Sequence, residues 1–599
     1  MLQLSLMQFC LAAANAQPML TLAPVDYFII GFYFLLVLGI GFYLKRFAST
    51  GEGFFMAGHK MTAWIAGLSF ISANLSTLET IGWSGMAAQN GMIAAHAYLA
   101  GAIPAILFLA VVMMPFYYIS RIHSVPGYLK LRYGEGSRAI AGFSFAAMTV
   151  FVCGVGMFSM ADILHLILGW DITHSIWISS ICVAVYTYMG GLLSAIFNEV
   201  LQYFLIWLGL LLVPILGLWE VGGWHNFMHL LSAFNTGGKN FTSLWACLGR
   251  PQDNASGMSW VGMVFGNCVA IGFGYWCTDF LQVQRVMAAK DLRAAENGTI
   301  IGAGLKMLVL LIVTLPGLLG LVLLTRSGMH LVGQNAPQMS AGPGGQPLPG
   351  YHSFNDVLPL LMGRYLGPGL LGLGVTAMVA GFMSGMAGNI SAFATVWTYD
   401  IYRPLINKTG TDSHYLSVGR IASVAGVMIA IATAYCCFWF ENILSELQVL
   451  VLFFIVPLFG VVIMGMLWKR ATKAAGCWAF AIGIASAMGQ WFWIHLFTTP
   501  TLHWDPGATF PAHVKDITGY AASDGFGQNC YMSMWALFVT LLATVVISLA
   551  TKPKSDEELK NLVMGLTPRA KVEGGVFQHP IFWAGVVCVV LIAVNIYFW

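Results

Sequence analysis

The sequence predicts an all-α polytopic membrane protein, and three observations carry that expectation. Of 599 residues, 58% are hydrophobic and only 9% are charged, against about 25% charged in a soluble globular chain. Mean hydropathy is +0.78; such a chain has no water-facing shell to enclose a core, so lipid must be its solvent. Fourteen segments each offer the roughly 20 mainly apolar residues that a span requires. The basic residues, finally, are distributed very unevenly between alternate loops.

The expected spans fall at roughly 26–45, 62–87, 92–119, 139–168, 172–190, 193–221, 258–282, 298–325, 355–400, 416–438, 442–467, 474–497, 530–550 and 580–599. The segment at 355–400 is too long for one span, so a short helix is expected before the span proper, which starts near Leu370. No linker of soluble-domain size occurs, and residues 1–599 read as one transmembrane domain. The stretches at about 223–257, 326–354 and 499–529 are rich in Gly, Pro and Asn and read as loops or short surface helices. Counting Lys and Arg loop by loop gives 21 on one side and 5 on the other, with Lys306 inside a span. A span count wrong by one would erase that bias. The basic side is therefore expected to be cytoplasmic, both termini to face outward, and the membrane to be the plasma (inner) membrane.

Eleven Cys are scattered, mostly in apolar runs, without metal-binding spacing. Cys247 and Cys530 lie in polar stretches and could pair. Residues 1–25 read either as an apolar tail or as a signal segment ending in Ala-Asn-Ala, without a basic start.

Ionisable side chains at membrane depth cost roughly 2.5–3.5 kcal/mol each on insertion scales, so each is a functional candidate. Glu79, Asp162, Glu199, Asp279 and Lys306 qualify. Asp279 and Arg285, six apart near a span end, could instead pair with each other. Two segments read as interrupted helices: Phe70-Ile-Ser-Ala-Asn-Leu-Ser-Thr-Leu-Glu-Thr-Ile-Gly82, and Ala270-Ile-Gly-Phe-Gly-Tyr-Trp276 with two glycines where a helix could unwind. Unwound backbone is tolerated at membrane depth only where it lines a cavity, and its free carbonyls suit sodium. Their separation by five spans matches inverted repeats of five helices each. A third segment, Gly381-Phe-Met-Ser-Gly-Met-Ala-Gly-Asn-Ile-Ser391, could set the Ser384 oxygen beside the carbonyls of the first break. Oxygen-only ligands fit a hard cation such as sodium. Small and hydroxyl residues also serve plain helix packing, and the sequence leaves that alternative open.

These features resemble the sodium:solute symporter family, most closely its sodium/glucose cotransporter branch, from about Val25 to beyond Thr567. The most specific stretches are Tyr275-Trp-Cys-Thr-Asp-Phe-Leu-Gln-Val-Gln-Arg285, Gly190-Gly191-Leu-Leu-Ser194, Thr398-Tyr-Asp-Ile-Tyr402, Leu467-Trp-Lys-Arg470 and Thr551-Lys-Pro553. The resemblance implies a LeuT-type fold: one extra helix at 26–45, inverted repeats at 62–221 and 258–467, and three further helices within 474–599. It implies a sodium site built from the carbonyls of Ser72, Leu75 and Gly381 and the hydroxyl of Ser384. A second hydroxyl of the family pattern is missing, because Gly385 stands in its place; this leaves the site one ligand short. An acidic residue below that site matches Glu199. The solute site of sugar-carrying relatives is matched by Asn74, Tyr275, Trp276, Lys306 and Gln448, an aromatic pair with amide and ammonium donors that suits a hydroxyl-rich ring. Glu79 stands where relatives carry His or Gln, and Tyr98 where they carry Glu.

The expected function is sodium-coupled import of a small hydroxylated solute, a sugar or polyol, by alternating access. The alternatives are proton coupling, motivated by Gly385, Glu79 and Glu199; a non-sugar solute; and a sensor that kept the fold, although no signalling domain accompanies these spans. No metal motif, nucleophile elbow or phosphate loop appears, so neither enzyme activity nor a nucleic-acid partner is expected.

Overall fold

The computed structural model describes residues 21–47, 50–236, 239–249, 254–333, 348–435, 443–497, 525–567 and 575–599. Of the segment at 1–25 that reads as a tail or a signal segment, residues 1–20 lie outside them. Among the described residues, eleven helices are long and apolar enough to cross a bilayer. Three of the expected segments are interrupted instead. One is split into Ala63–Asn74 and Thr77–Asn90, and another runs through Gly262–Phe273, Gly274–Thr278 and Phe280–Met287. The third bends away from the helix after it at Gly191, inside Ile172–Leu210.

The medium around the bundle follows from where apolar surface lies. Helices Leu292–Arg326 and Leu370–Leu405 are 78% and 89% buried over their most apolar windows, whereas Pro24–Leu44 and Pro580–Tyr597 are 17% and 11% buried. Phe28, Phe32 and Leu35 on the first helix and Val589 and Ile592 on the last are exposed. Rim helices as apolar as central ones are stable only in hydrocarbon.

At the centre, Ile172–Leu210 packs along Leu370–Val396, and Leu292–Arg326 packs against both halves of the 63–90 segment. Close approach needs small residues. A Cβ on Gly191, at φ +53°, would lie 2.6 Å from the Phe54 carbonyl oxygen, so the bend there requires glycine. The short helix expected before Leu370 is Val357–Tyr365. Asp26 of the first helix then accepts the N–H groups of Gly369 and Gly372, both at 2.7 Å. A carboxylate at that helix N-terminus satisfies otherwise orphaned donors and ties the first helix to the core. His330–Val332 and Tyr351–Ser353 form a small parallel ladder within the expected 326–354 loop. Cys247 and Cys530 are both buried and no disulfide joins them, so the pairing that their polar settings suggested is not formed.

Candidate functional site

The first break is a turn of defined geometry. Helix Ala63–Asn74 closes with Leu75 N–H on the Ile71 oxygen at 2.9 Å. Leu75 then takes φ −73°, ψ 63°, the inverse γ-turn conformation, and Ser76 N–H donates to Asn74 O at 2.7 Å. Because that N–H is turned to Asn74, the Ser72 carbonyl loses its helical donor, and Leu75 O receives no backbone N–H among the described residues. Ser76 opens the next helix as N-cap, its hydroxyl accepting Glu79 N–H at 3.4 Å.

Four oxygen-bearing residues converge on this turn. Ser384 donates its hydroxyl to Ser72 O at 2.8 Å and lies 3.2 Å from Ser72 Oγ. A Cβ on Gly381 would be 3.2 Å from Leu75 O. The fold thus brings together Ser72, Leu75, Gly381 and Ser384, all buried, as a set of hard oxygen donors. Gly385 lies beside them, and its missing side-chain space is taken by Ser76: a Cβ there would come 2.8 Å from Ser76 Cβ.

The second break falls elsewhere than the glycines suggest. The helix runs through Gly272 and Gly274, and the first non-helical residue is Asp279 at φ −65°, ψ 113°. Gly272 serves close packing instead, since a Cβ there would lie 2.1 Å from Gly101 O. Asp279 caps Phe280–Met287 by accepting Leu281 N–H at 2.9 Å, so it is not the partner of Arg285. That partner is Glu199, reached by Arg285 Nη2 at 2.7 Å with both side chains fully buried. The Ser69 hydroxyl also donates to Glu199, which sets this carboxylate beside the helix that carries Ser72. Ser69 and Ser72 stand at i and i+3 on one face of helix Ala63–Asn74, a signal in the sequence that could have exposed Ser69's role. Asp162 lines neither cavity described below.

Asn74, Glu79, Tyr98, Tyr275, Trp276, Lys306 and Gln448 all line one cavity of about 100 Å³. Lys306 is not a free donor there: its ammonium pairs with Glu79 and donates to Asn74 Oδ1 at 2.5 Å. It also sits 4.1 Å from the Tyr98 ring centre and 5.1 Å from that of Trp276, within cation–π range. Burial explains the pairing, because a lone ammonium in this setting would be costly. The Tyr275 hydroxyl accepts from Asn74 Nδ2 at 3.2 Å and from Gln282 Nε2 at 3.3 Å. The amide oxygens of Gln448 and Gln282 are buried without a hydrogen-bond partner among the described residues. Gln282 and Trp83 were missed by sequence reasoning, although Gln282 lies within the Tyr275–Arg285 motif. A second cavity, of about 40 Å³, shares Asn74, Glu79 and Tyr275 and reaches Ser76 and Gly385. The two cavities therefore meet at the first break, next to the oxygen cluster, whose four residues line neither of them.

A model of the sodium:solute symporter family matches residues 54–483. The chain belongs to this family. The symporter is 27% identical over 569 residues to the sodium/myo-inositol cotransporter of Mus musculus, covering 90% of this chain and 75% of that protein. It is 27% identical over 572 residues to the sodium/myo-inositol cotransporter 2 of Homo sapiens, covering 92% and 80%. Its fold matches a Na+-coupled sialic acid symporter in a substrate-bound outward-open state, with TM-score 0.67, 18% identity, and 89% and 99% of the two chains covered. The chain is a membrane symporter that moves a small solute with sodium. Both carboxylates that motivated proton coupling, Glu79 and Glu199, are engaged in ion pairs.

Proposed function

We propose that this symporter imports a neutral, hydroxyl-rich ring compound, an inositol or a related sugar, across the plasma (inner) membrane by alternating access. The observation that carries the reading is the chemistry of the 100 Å³ cavity. Its lysine and glutamate cancel, its Trp276 and Tyr275 rings offer flat apolar surface, and the buried amide oxygen of Gln448 awaits donors. A ring with many hydroxyls supplies those donors without adding charge; a buried acceptor left unpaired costs about 1–3 kcal/mol. The names of the relatives favour the same class. Sodium enters at the oxygen cluster formed by Ser72, Leu75, Gly381 and Ser384, and Glu199 sits on its inward path. One charge moved down 100 mV supplies about 2.3 kcal/mol, enough for roughly 50-fold accumulation before any concentration gradient is counted.

For topology, the eleven uninterrupted helices and three interrupted segments together make fourteen crossings. Repeats at 62–221 and 258–467, with both termini outward, agree with the 21-to-5 distribution of basic residues. The test is uptake of a labelled panel into proteoliposomes: myo-inositol, glucose, a sugar acid and an amino acid, each with and without inward sodium. The expected result is sodium-dependent uptake of a neutral polyol or sugar. Preference for the sugar acid or the amino acid contradicts the reading.

A further inference from the structure

We infer that the Ser72 hydroxyl is itself a sodium ligand in this chain, supplying the oxygen that Gly385 withholds. The inference rests on the sodium reading of the Ser72–Ser384 site and adds a side chain to it.

Several buried hydroxyls in the bundle turn back onto their own helices, while others, such as those of Ser84, Ser194 and Ser533, have no hydrogen-bond partner among the described residues. Thr149, Ser159, Thr299, Thr376 and Thr395 each donate to the carbonyl four residues earlier, at 2.7–2.9 Å. That bond is how a hydroxyl satisfies itself in an apolar helix. Ser72 is fully buried and leaves its own helix unbonded; its Oγ faces Ser384 Oγ at 3.2 Å on a helix 312 residues away in the chain. Ser384 behaves in the same way, donating across to Ser72 O at 2.8 Å. Two hydroxyls that leave their own helices and face each other at a turn with an undonated carbonyl form an oxygen cluster.

The alternative source of a further oxygen is closed. A side chain at Gly385 would run into Ser76, with Cβ atoms 2.8 Å apart, and Ser76 Oγ is committed to the Glu79 N–H. Ser72 therefore serves twice, through its carbonyl and its hydroxyl. With Leu75 O, Gly381 O and Ser384 Oγ the set reaches five oxygens, all of the hard type that sodium prefers. The hydroxyl lost from one helix is regained on the helix facing it.

The experiment is sodium titration of the purified full-length protein in lipid nanodiscs, followed by tryptophan fluorescence and by the sodium-dependent rise in Tm, with choline holding ionic strength constant. Ser72→Ala and Ser384→Ala are each expected to weaken sodium binding about tenfold or more. Ser72→Cys, which keeps the volume but exchanges hard oxygen for soft sulfur, is expected to do the same, and Ser72→Thr to stay close to wild type. Should Ser72→Ala fold poorly without sodium, the Cys and Thr variants carry the comparison. Wild-type sodium affinity in both Ser72→Ala and Ser72→Cys, with loss only in Ser384→Ala, overturns the role of the hydroxyl while leaving the site intact. A wild-type protein that shows no sodium response overturns the sodium reading as well.

Discussion

The two helix breaks begin as near equivalents in the sequence and end as opposites. At the first, the inverse γ-turn at Leu75 strips donors from the carbonyls of Ser72 and Leu75, and among the described residues only the Ser384 hydroxyl donates to either. At the second, several of the freed groups have partners. The Cys277 carbonyl accepts the Tyr117 hydroxyl at 3.0 Å, Asp279 O accepts the N–H groups of Gln282 and Val283, and the Asp279 carboxylate caps the helix it precedes. A break in a membrane helix is thus not in itself a cation site. It becomes one where backbone oxygens are left unpaired beside further hard donors; otherwise it is a hinge or a wall. The second break contributes aromatic rings to the solute cavity, and the first contributes the oxygen cluster and Glu79 of the charged pair.

The largest expected effect lies at that pair. Glu79→Gln or Lys306→Met alone strands a buried charge, which costs about 3–5 kcal/mol, and should reduce folded yield and abolish uptake. The double variant should recover a monodisperse size-exclusion profile but not transport; recovery of transport would show that the pair does not shape the solute site. Next comes Ser384→Ala, which removes an oxygen worth about 1.5–3 kcal/mol toward a charged partner and should raise the sodium half-saturation for uptake about ten- to a hundredfold. Gly272→Ala forces a Cβ into the Gly101 carbonyl and should lower stability by about 1–3 kcal/mol, read as a drop in Tm. Gly304→Ala, with nothing within 4 Å, should be silent. The smallest measurable loss is expected from Tyr117→Phe, about 0.5–1.5 kcal/mol of stability with sodium half-saturation unchanged. If Tyr117→Phe weakens sodium as much as Ser384→Ala, the contrast between the breaks fails.

The features legible in the sequence are those set by local pattern. Apolar runs marked the spans, and the hydroxyl-rich Phe70–Gly82 segment marked the first break, because a γ-turn with a serine N-cap is written in adjacent residues. The second break was misplaced because glycine has two uses, unwinding and close packing, and only the backbone of Gly101 decides which applies at Gly272. All seven solute-site positions share one cavity, yet the pairing of Lys306 with Glu79, 227 residues apart, could not be read from either residue alone. Arg285 was set against Asp279, its neighbour in sequence, and in the fold belongs to Glu199, 86 residues away. Charge partners across a bundle are tertiary facts: burial forces each charge to find a mate, but packing chooses it.

The account turns on sodium entering with a neutral polyol at the first break. The most direct measurement is uptake of labelled myo-inositol by proteoliposomes holding the purified chain, with an inward gradient of sodium, potassium or choline at equal ionic strength. Accumulation above equilibrium with sodium alone, lost in Ser384→Ala, is the predicted result. Equal uptake in all three cations, or sodium-driven uptake untouched by Ser384→Ala, would contradict it.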